Sequence, residues 1–133
     1  MIAVQSLIDG VAEGELLILD TPLSFWGGFD AKTGRVIDRS HRAFGALLTG
    51  KIVAMPAGRG SSSASSVLAE AIRAGTAPAG LILQEPDPIL VVGVIIAAQL
   101  YGRSIPIVVC SQPLPPLRRV RIAADVNSWI AGV

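Results

Sequence analysis

The sequence predicts a layered α/β fold. Three features carry this reading: short apolar runs bounded by Gly and Pro, two longer stretches of helical character, and strands alternating with helices in the later part of the chain. The first third is richer in strands and turns than in helix, which argues against a simple doubly wound sheet.

Taken in order, Glu15-Leu16-Leu17-Ile18-Leu19 is an apolar run between Gly14 and Asp20-Thr21-Pro22, as expected of a buried strand ended by a turn. The segment Leu23 to Asp30 sets Phe25, Trp26 and Phe29 around Gly27-Gly28, and these rings read either as core anchors or as the wall of a cleft or partner contact. Asp30-Ala31-Lys32-Thr33-Gly34 is a turn ahead of Arg35-Val36-Ile37-Asp38. From Gly45 to Gly50 the chain turns into a second strand, Lys51-Ile52-Val53-Ala54-Met55, which runs into Pro56-Ala57-Gly58. Val67, Leu68, Ala71 and Ile72 recur at helical spacing, so a helix covers Val67 to Arg73, with Gly75 as its C-cap and Pro78 beyond. Gly80 to Leu83 reads as a strand and Gln84-Glu85-Pro86-Asp87-Pro88 as a rigid polar turn. Ile89 to Leu100 reads as a helix, apolar on nearly all sides and so expected to be buried all round. Ile105 to Cys110 is a further strand, Pro113-Leu114-Pro115-Pro116 a stiff connection, and Val120 to Asp125 a last strand of alternating character. There is no internal repeat, and 133 residues suit one domain, 1–133, with one sizeable core.

Composition narrows the function. Apolar residues make up 51% of the chain and mean hydropathy is +0.60. The longest apolar stretch, Ile89 to Leu100, still falls short of the roughly 20 residues a bilayer span needs. The apolar excess must go into a well-filled core, an obligate interface, or both. A net charge of +1 sets up no field that would favour nucleic acid or an anionic membrane. One cysteine, Cys110, and one histidine, His41, exclude an intrachain disulfide and supply no Cys/His metal cluster. The N-terminal residues lack the pattern of a secretory signal, so the expected compartment is the cytoplasm.

The most informative segment is Gly58-Arg59-Gly60-Ser61-Ser62-Ser63-Ala64-Ser65-Ser66, a glycine and serine loop between a strand and a helix. Serines cap helix starts, while the free N–H groups and the positive end of the helix dipole favour an anion there. The pattern lacks both the Lys-Ser/Thr ending of a P-loop and the third glycine of a dinucleotide fingerprint. By itself it reads either as a capped serine-rich turn or as a ligand-binding loop. His41 reads as a loop histidine or a proton shuttle. Asp87 reads as the cap of the following helix or, with Glu85, as a group that orients a loop at a cleft, and Cys110 as a buried small hydrophobe.

Five segments in order carry a resemblance: Gly14-Glu15; Leu23-Ser24-Phe25-Trp26-Gly27-Gly28; Thr33-Gly34-Arg35-Val36-Ile37-Asp38; Met55-Pro56-Ala57-Gly58-Arg59-Gly60-Ser61-Ser62-Ser63; and Glu85-Pro86-Asp87-Pro88-Ile89-Leu90. Together they resemble the small subunit, or swivel domain, of the aconitase X family over nearly the whole chain. The resemblance implies a swivelling β/β/α fold like the mobile domain of aconitases. It also implies docking on a large subunit that carries an iron-sulfur cluster, and loss of water from a small carboxylate substrate, either cis-3-hydroxy-L-proline or mevalonate 5-phosphate. Lys occurs only twice, which leans away from a hyperthermophilic source and toward the hydroxyproline reaction. Ser61 matches the serine that takes the proton from carbon in aconitase-like dehydratases, with Ser62 the second choice. Gly58, Arg59, Gly60 and Ser63 would line the substrate, and Arg59 would pair with its carboxylate or lower the serine pKa. Aconitases carry an arginine after the two serines where this chain has Ser63, so that role passes to Arg59 or to the partner. The rival from another class is a non-catalytic module that binds an anion or serves as a docking platform.

Overall fold

The computed structural model describes residues 1–58 and 61–133. The chain opens with β1 (Ile2–Ala3), β2 (Gln5–Ile8) and the long β3 (Gly10–Ile18). A single kinked turn, α1 (Phe25–Gly28), and the small ribbon β4 (Phe29–Asp30) and β5 (Arg35–Val36) follow. Two crossovers come next: β6 (Ile52–Met55), α2 (Ala64–Ala74), β7 (Gly80–Leu83), α3 (Pro88–Tyr101) and β8 (Ile107–Val109). The chain closes with β9 (Arg119–Ala124) and β10 (Trp129–Gly132).

One sheet runs in the order β1-β10-β9-β3-β6-β7-β8-β2. From β3 to β8 its neighbours are parallel; from β3 back to β1, and between β8 and β2, they are antiparallel. The two outer strands, β1 and β2, are consecutive in the chain and separated only by Val4, whose N–H donates to the Ser128 carbonyl at 3.1 Å. The sheet therefore curls round until its ends lie one residue apart along the chain.

The alternation of side chains across strands sorts the core into two. Val53, Met55, Leu81, Leu83 and Ile107 face α2 and α3 and pack with Leu68, Ile72, Leu90 and Val94. Ile52, Ala54, Ile82, Val108 and Cys110 face the other way and pack against Val120, Ile122, Ala124 and Ile130 of β9 and β10. The result is a mixed α/β architecture of antiparallel sheet, parallel sheet and helices, which is the β/β/α layering expected. The helices meet at Gly93, where an added Cβ would lie 2.8 Å from the Ser65 carbonyl oxygen, so α2 and α3 touch backbone to backbone. Among the described residues, no helix is long and apolar enough to cross a membrane.

Several expectations need correcting. Val120 to Asp125 is not the last strand, because the chain turns at Asp125 to Ser128 and returns as β10. Neither β1 nor β2 was expected, since these short edge strands mix polar with apolar residues. Helix α2 begins at Ala64, three residues before its apolar periodicity, because carbonyls of the serine run accept its first N–H groups. Helix α3 is not buried all round. The sheet and α2 cover the face of Leu90, Gly93, Val94 and Ala97, leaving Val92 and Ile95 46% and 47% exposed.

In the turn between β4 and β5, Asp30 accepts from the Lys32 N–H and the Thr33 hydroxyl, each at 3.0 Å. These bonds, the Lys32 backbone donor foremost, hold its carboxyl below its ordinary value of 3.8. The stabilisation this gives is present above that value and is lost as pH falls through the lower folded value. The expected outcome is an NMR titration midpoint for Asp30 below that of an unstructured aspartate. Substituting Gly93→Val should overpack the helix contact and cost about 1–3 kcal/mol by denaturant unfolding, whereas Val92→Thr on the exposed face should stay within about 0.5 kcal/mol.

Candidate functional site

Strand β6 delivers Pro56, Ala57 and Gly58 to the parallel edge where α2 and α3 begin. Gly58 forms a parallel bridge with Leu23, and its N–H donates to Asp87 Oδ2 at 2.9 Å. A Cβ at Gly58 would stand 2.5 Å from that oxygen and 3.2 Å from Leu90, so a larger residue would have to push the Asp87 carboxylate aside. The other Asp87 oxygen accepts from the N–H groups of Ile89 at 3.0 Å and Leu90 at 3.3 Å, capping α3 just before Pro88 at its first position.

On the α2 side the serine run coils into the helix. The carbonyls of Ser61, Ser62 and Ser63 accept from the N–H groups of Ala64, Ser65 and Ser66 at 3.0–3.2 Å. Ser61 Oγ accepts from the Ser63 N–H at 3.0 Å. Ser63 occupies the N-cap position, yet its own hydroxyl makes no cap bond. The sequence suggested that a serine side chain would cap this helix; instead Ser61 closes a local turn onto the N–H of Ser63, the residue just before the helix. The buried Ser65 hydroxyl donates to the Ile89 carbonyl at 2.6 Å, tying the first turn of α2 to that of α3.

Between these parts lies a hollow of about 40 Å³ lined by Leu23, Phe25, Gly58, Ser61, Asp87 and Leu90 among others. It is open on one side and holds no more than a few waters, at about 10–15 Å³ of such space for each. The exposed Ser61 oxygen stands at its rim, at the positive end of an eleven-residue helix whose first turn carries no acidic side chain. A negative charge developing on Ser61 Oγ would meet the Ser63 N–H and the dipole of α2 together.

The other expected residues separate clearly. Ser62 and Ser63 are exposed on the same turn, while Arg59 and Gly60 lie outside the described residues. Phe25 and Phe29 are buried with ring centroids 5.2 Å apart, so they anchor the core, although Phe25 also lines the hollow; Trp26 is 58% exposed. The His41 ring is engaged on both sides. Its Nδ1 accepts from the Ala43 N–H at 3.0 Å, which leaves the ring hydrogen on Nε2, 3.2 Å from the Thr21 carbonyl and 3.1 Å from its hydroxyl. This is a loop staple, not a free proton carrier. Glu85 is exposed, and Cys110 is buried beside an apolar hollow of about 250 Å³ lined by Met55, Leu83 and Leu114. Among the described residues, no three His, Cys, Asp or Glu side chains converge as a metal site would require. Ser65 was missed by the sequence reading; the signal was a polar residue on the buried face of an amphipathic helix, one turn from Leu68.

Residues 1–127 match the family model described as the aconitase X swivel domain. The chain is 51% identical over 107 residues to cis-3-hydroxy-L-proline dehydratase of Pseudomonas aeruginosa, a match covering 80% of this chain and 18% of that protein. It is 47% identical over 89 residues to the phosphomevalonate dehydratase small subunit of Methanopyrus kandleri, covering 67% of this chain and 66% of that one. Among solved structures, the aconitase X of Thermococcus kodakaraensis superposes with a TM-score of 0.81 at 32% identity, over 95% of this chain and 93% of that chain. The α/β fold described above is thus shared with that structure over nearly the whole chain. The chain belongs to the aconitase X swivel-domain family. It spans less than a fifth of the length of the Pseudomonas relative.

The His41 staple yields an expectation. His41→Ala should lower stability by about 1–2 kcal/mol through loss of its hydrogen bonds, read as a shifted denaturant midpoint, while the amide signals of α2 keep their positions.

Proposed function

We propose that this chain is the small subunit of an aconitase X-type hydro-lyase that removes water from cis-3-hydroxy-L-proline, with Ser61 as the base. The observation that carries the reading is the Ser61 hydroxyl, exposed at the rim of the hollow and bonded to the Ser63 N–H at the start of α2. A serine removes a proton from carbon only if its alkoxide is stabilised, and this is where a backbone donor and a helix dipole act together. In the reaction the C–H bond breaks toward Ser61 Oγ, its electron pair forms the new C=C bond, and the hydroxyl leaves the neighbouring carbon. Proton and hydroxide together make the water released. Ser62 is the second choice of base. Gly58, Arg59, Gly60 and Ser63 are the proposed substrate-binding residues, and Arg59 has the chemistry to pair with the carboxylate.

The iron-sulfur cluster implied by the family does not fit this chain, whose single cysteine is buried and whose described residues form no ligand group. We assign the cluster to a large subunit. The small, open hollow supports the same division, because a second surface would be needed to close it round a substrate. Relatives named as small subunits support such a partner. The 51% identity to a cis-3-hydroxy-L-proline dehydratase favours that substrate, and the 47% identity to a phosphomevalonate dehydratase small subunit keeps (R)-5-phosphomevalonate as the second reading.

The test is anaerobic coexpression with the candidate large subunit, followed by assay of the complex on both compounds. Turnover of either assigns the substrate; a stable complex inactive on both removes this reading of the substrate, and a chain that pairs with no cluster-bearing partner favours the non-catalytic module. In an active complex, Ser61→Ala should lower kcat by about 10²–10⁴-fold, with KM changed far less. An unaffected kcat would reject Ser61 as the base.

A further inference from the structure

We propose that Asp87 is a positioning residue, a clamp that fixes the Ser61 loop to the first turn of α3, with Ser65 as the second point of attachment. The inference rests on the reading of Ser61 given above. The two oxygens of the carboxylate serve different elements. Oδ1 caps α3 through the N–H groups of Ile89 and Leu90, and Oδ2 holds the N–H of Gly58, 29 residues away in sequence. On the far side of the loop, Ser65 Oγ holds the Ile89 carbonyl at 2.6 Å. Both ends of the segment that contains Ser61 are thus anchored within residues 87–90. A Cβ at Gly58 would press on Asp87 Oδ2, so the strand end lies close against the carboxylate. Capping alone would need one oxygen; the second is spent on the loop.

That division separates positioning from folding experimentally. Asparagine caps helices about as well as aspartate, so Asp87→Asn retains an acceptor for α3 but turns an NH₂ donor toward the Gly58 N–H. Asp87→Ser also caps, but its shorter side chain does not reach Gly58. Both variants should stay folded with a cooperative thermal transition, its midpoint lowered by several degrees through loss of the Gly58 bond. In the full chain the Gly58 amide should exchange about tenfold to a hundredfold faster, as expected for loss of a hydrogen bond to a charged acceptor. In the active complex, kcat should fall by about tenfold to a hundredfold with KM little changed, since misplacement of a reacting group on this scale costs as much. A purely structural cap would leave both quantities untouched. Unchanged Gly58 exchange in a folded Asp87→Asn chain would overturn the clamp, as would a variant complex with parental kcat and KM. If the parent complex turns over neither substrate, the functional reading fails separately, and Gly58 exchange alone then decides the clamp.

Discussion

The architecture depends on one strand meeting two different partners. Along most of its length β3 pairs antiparallel with β9, from Gly10 opposite Ala124 to Glu15 opposite Arg119; over its last residues it pairs parallel with β6, from Leu16 opposite Ile52 to Ile18 opposite Ala54. A ladder shared in this way obliges the two halves of the sheet to diverge from a common line. The parallel half must then be covered on both faces, as parallel sheets are. Helices α2 and α3 cover one face and the returning β9 and β10 the other, which is why the molecule has two cores with β6, β7 and β8 between them.

The site follows from the same arrangement. Parallel strands direct their C-terminal ends, and the helix starts that follow, to one edge, where ligands of α/β sheets gather. Here that edge brings together the end of β6, the serine turn before α2 and the capped start of α3. The α2–α3 contact at Gly93 lets the two helices approach closely enough for the Ser65 hydroxyl to reach Ile89. The geometry around Ser61 is therefore a property of helix packing as much as of the loop that carries it.

Much of this was legible in the sequence, and the rest was hidden for physical reasons. The apolar runs at Ile52–Met55 and Gly80–Leu83 are strands buried on both faces, which read clearly because no polar residue interrupts them. Short edge strands such as β2, Gln5–Ile8, carry mixed side chains and give no such signal. The apolar surface of α3 was read as full burial, whereas a helix lying on a sheet beside one neighbour keeps an outer face. The Ser61 to Ser63 contact spans two residues and is the kind of local bond that serine favours. The link from Asp87 to Gly58 spans 29 residues, so sequence offered capping and loop orientation as alternatives where the structure has both.

The meeting of the outer strands bears on how the chain acquires its structure. Strand β1, at residues 2–3, pairs with β10, at residues 129–132, and neighbouring β2 pairs with β8. These contacts join opposite ends of the sequence, so the loop entropy of closing them must be met before they repay it. During synthesis the crossovers from β6 to β8 can form as soon as they emerge, but the ring of strands stays open until β10 has left the ribosome. Strands β1 and β2, which precede the rest of the fold in sequence, are thus among the last of its strands to be secured.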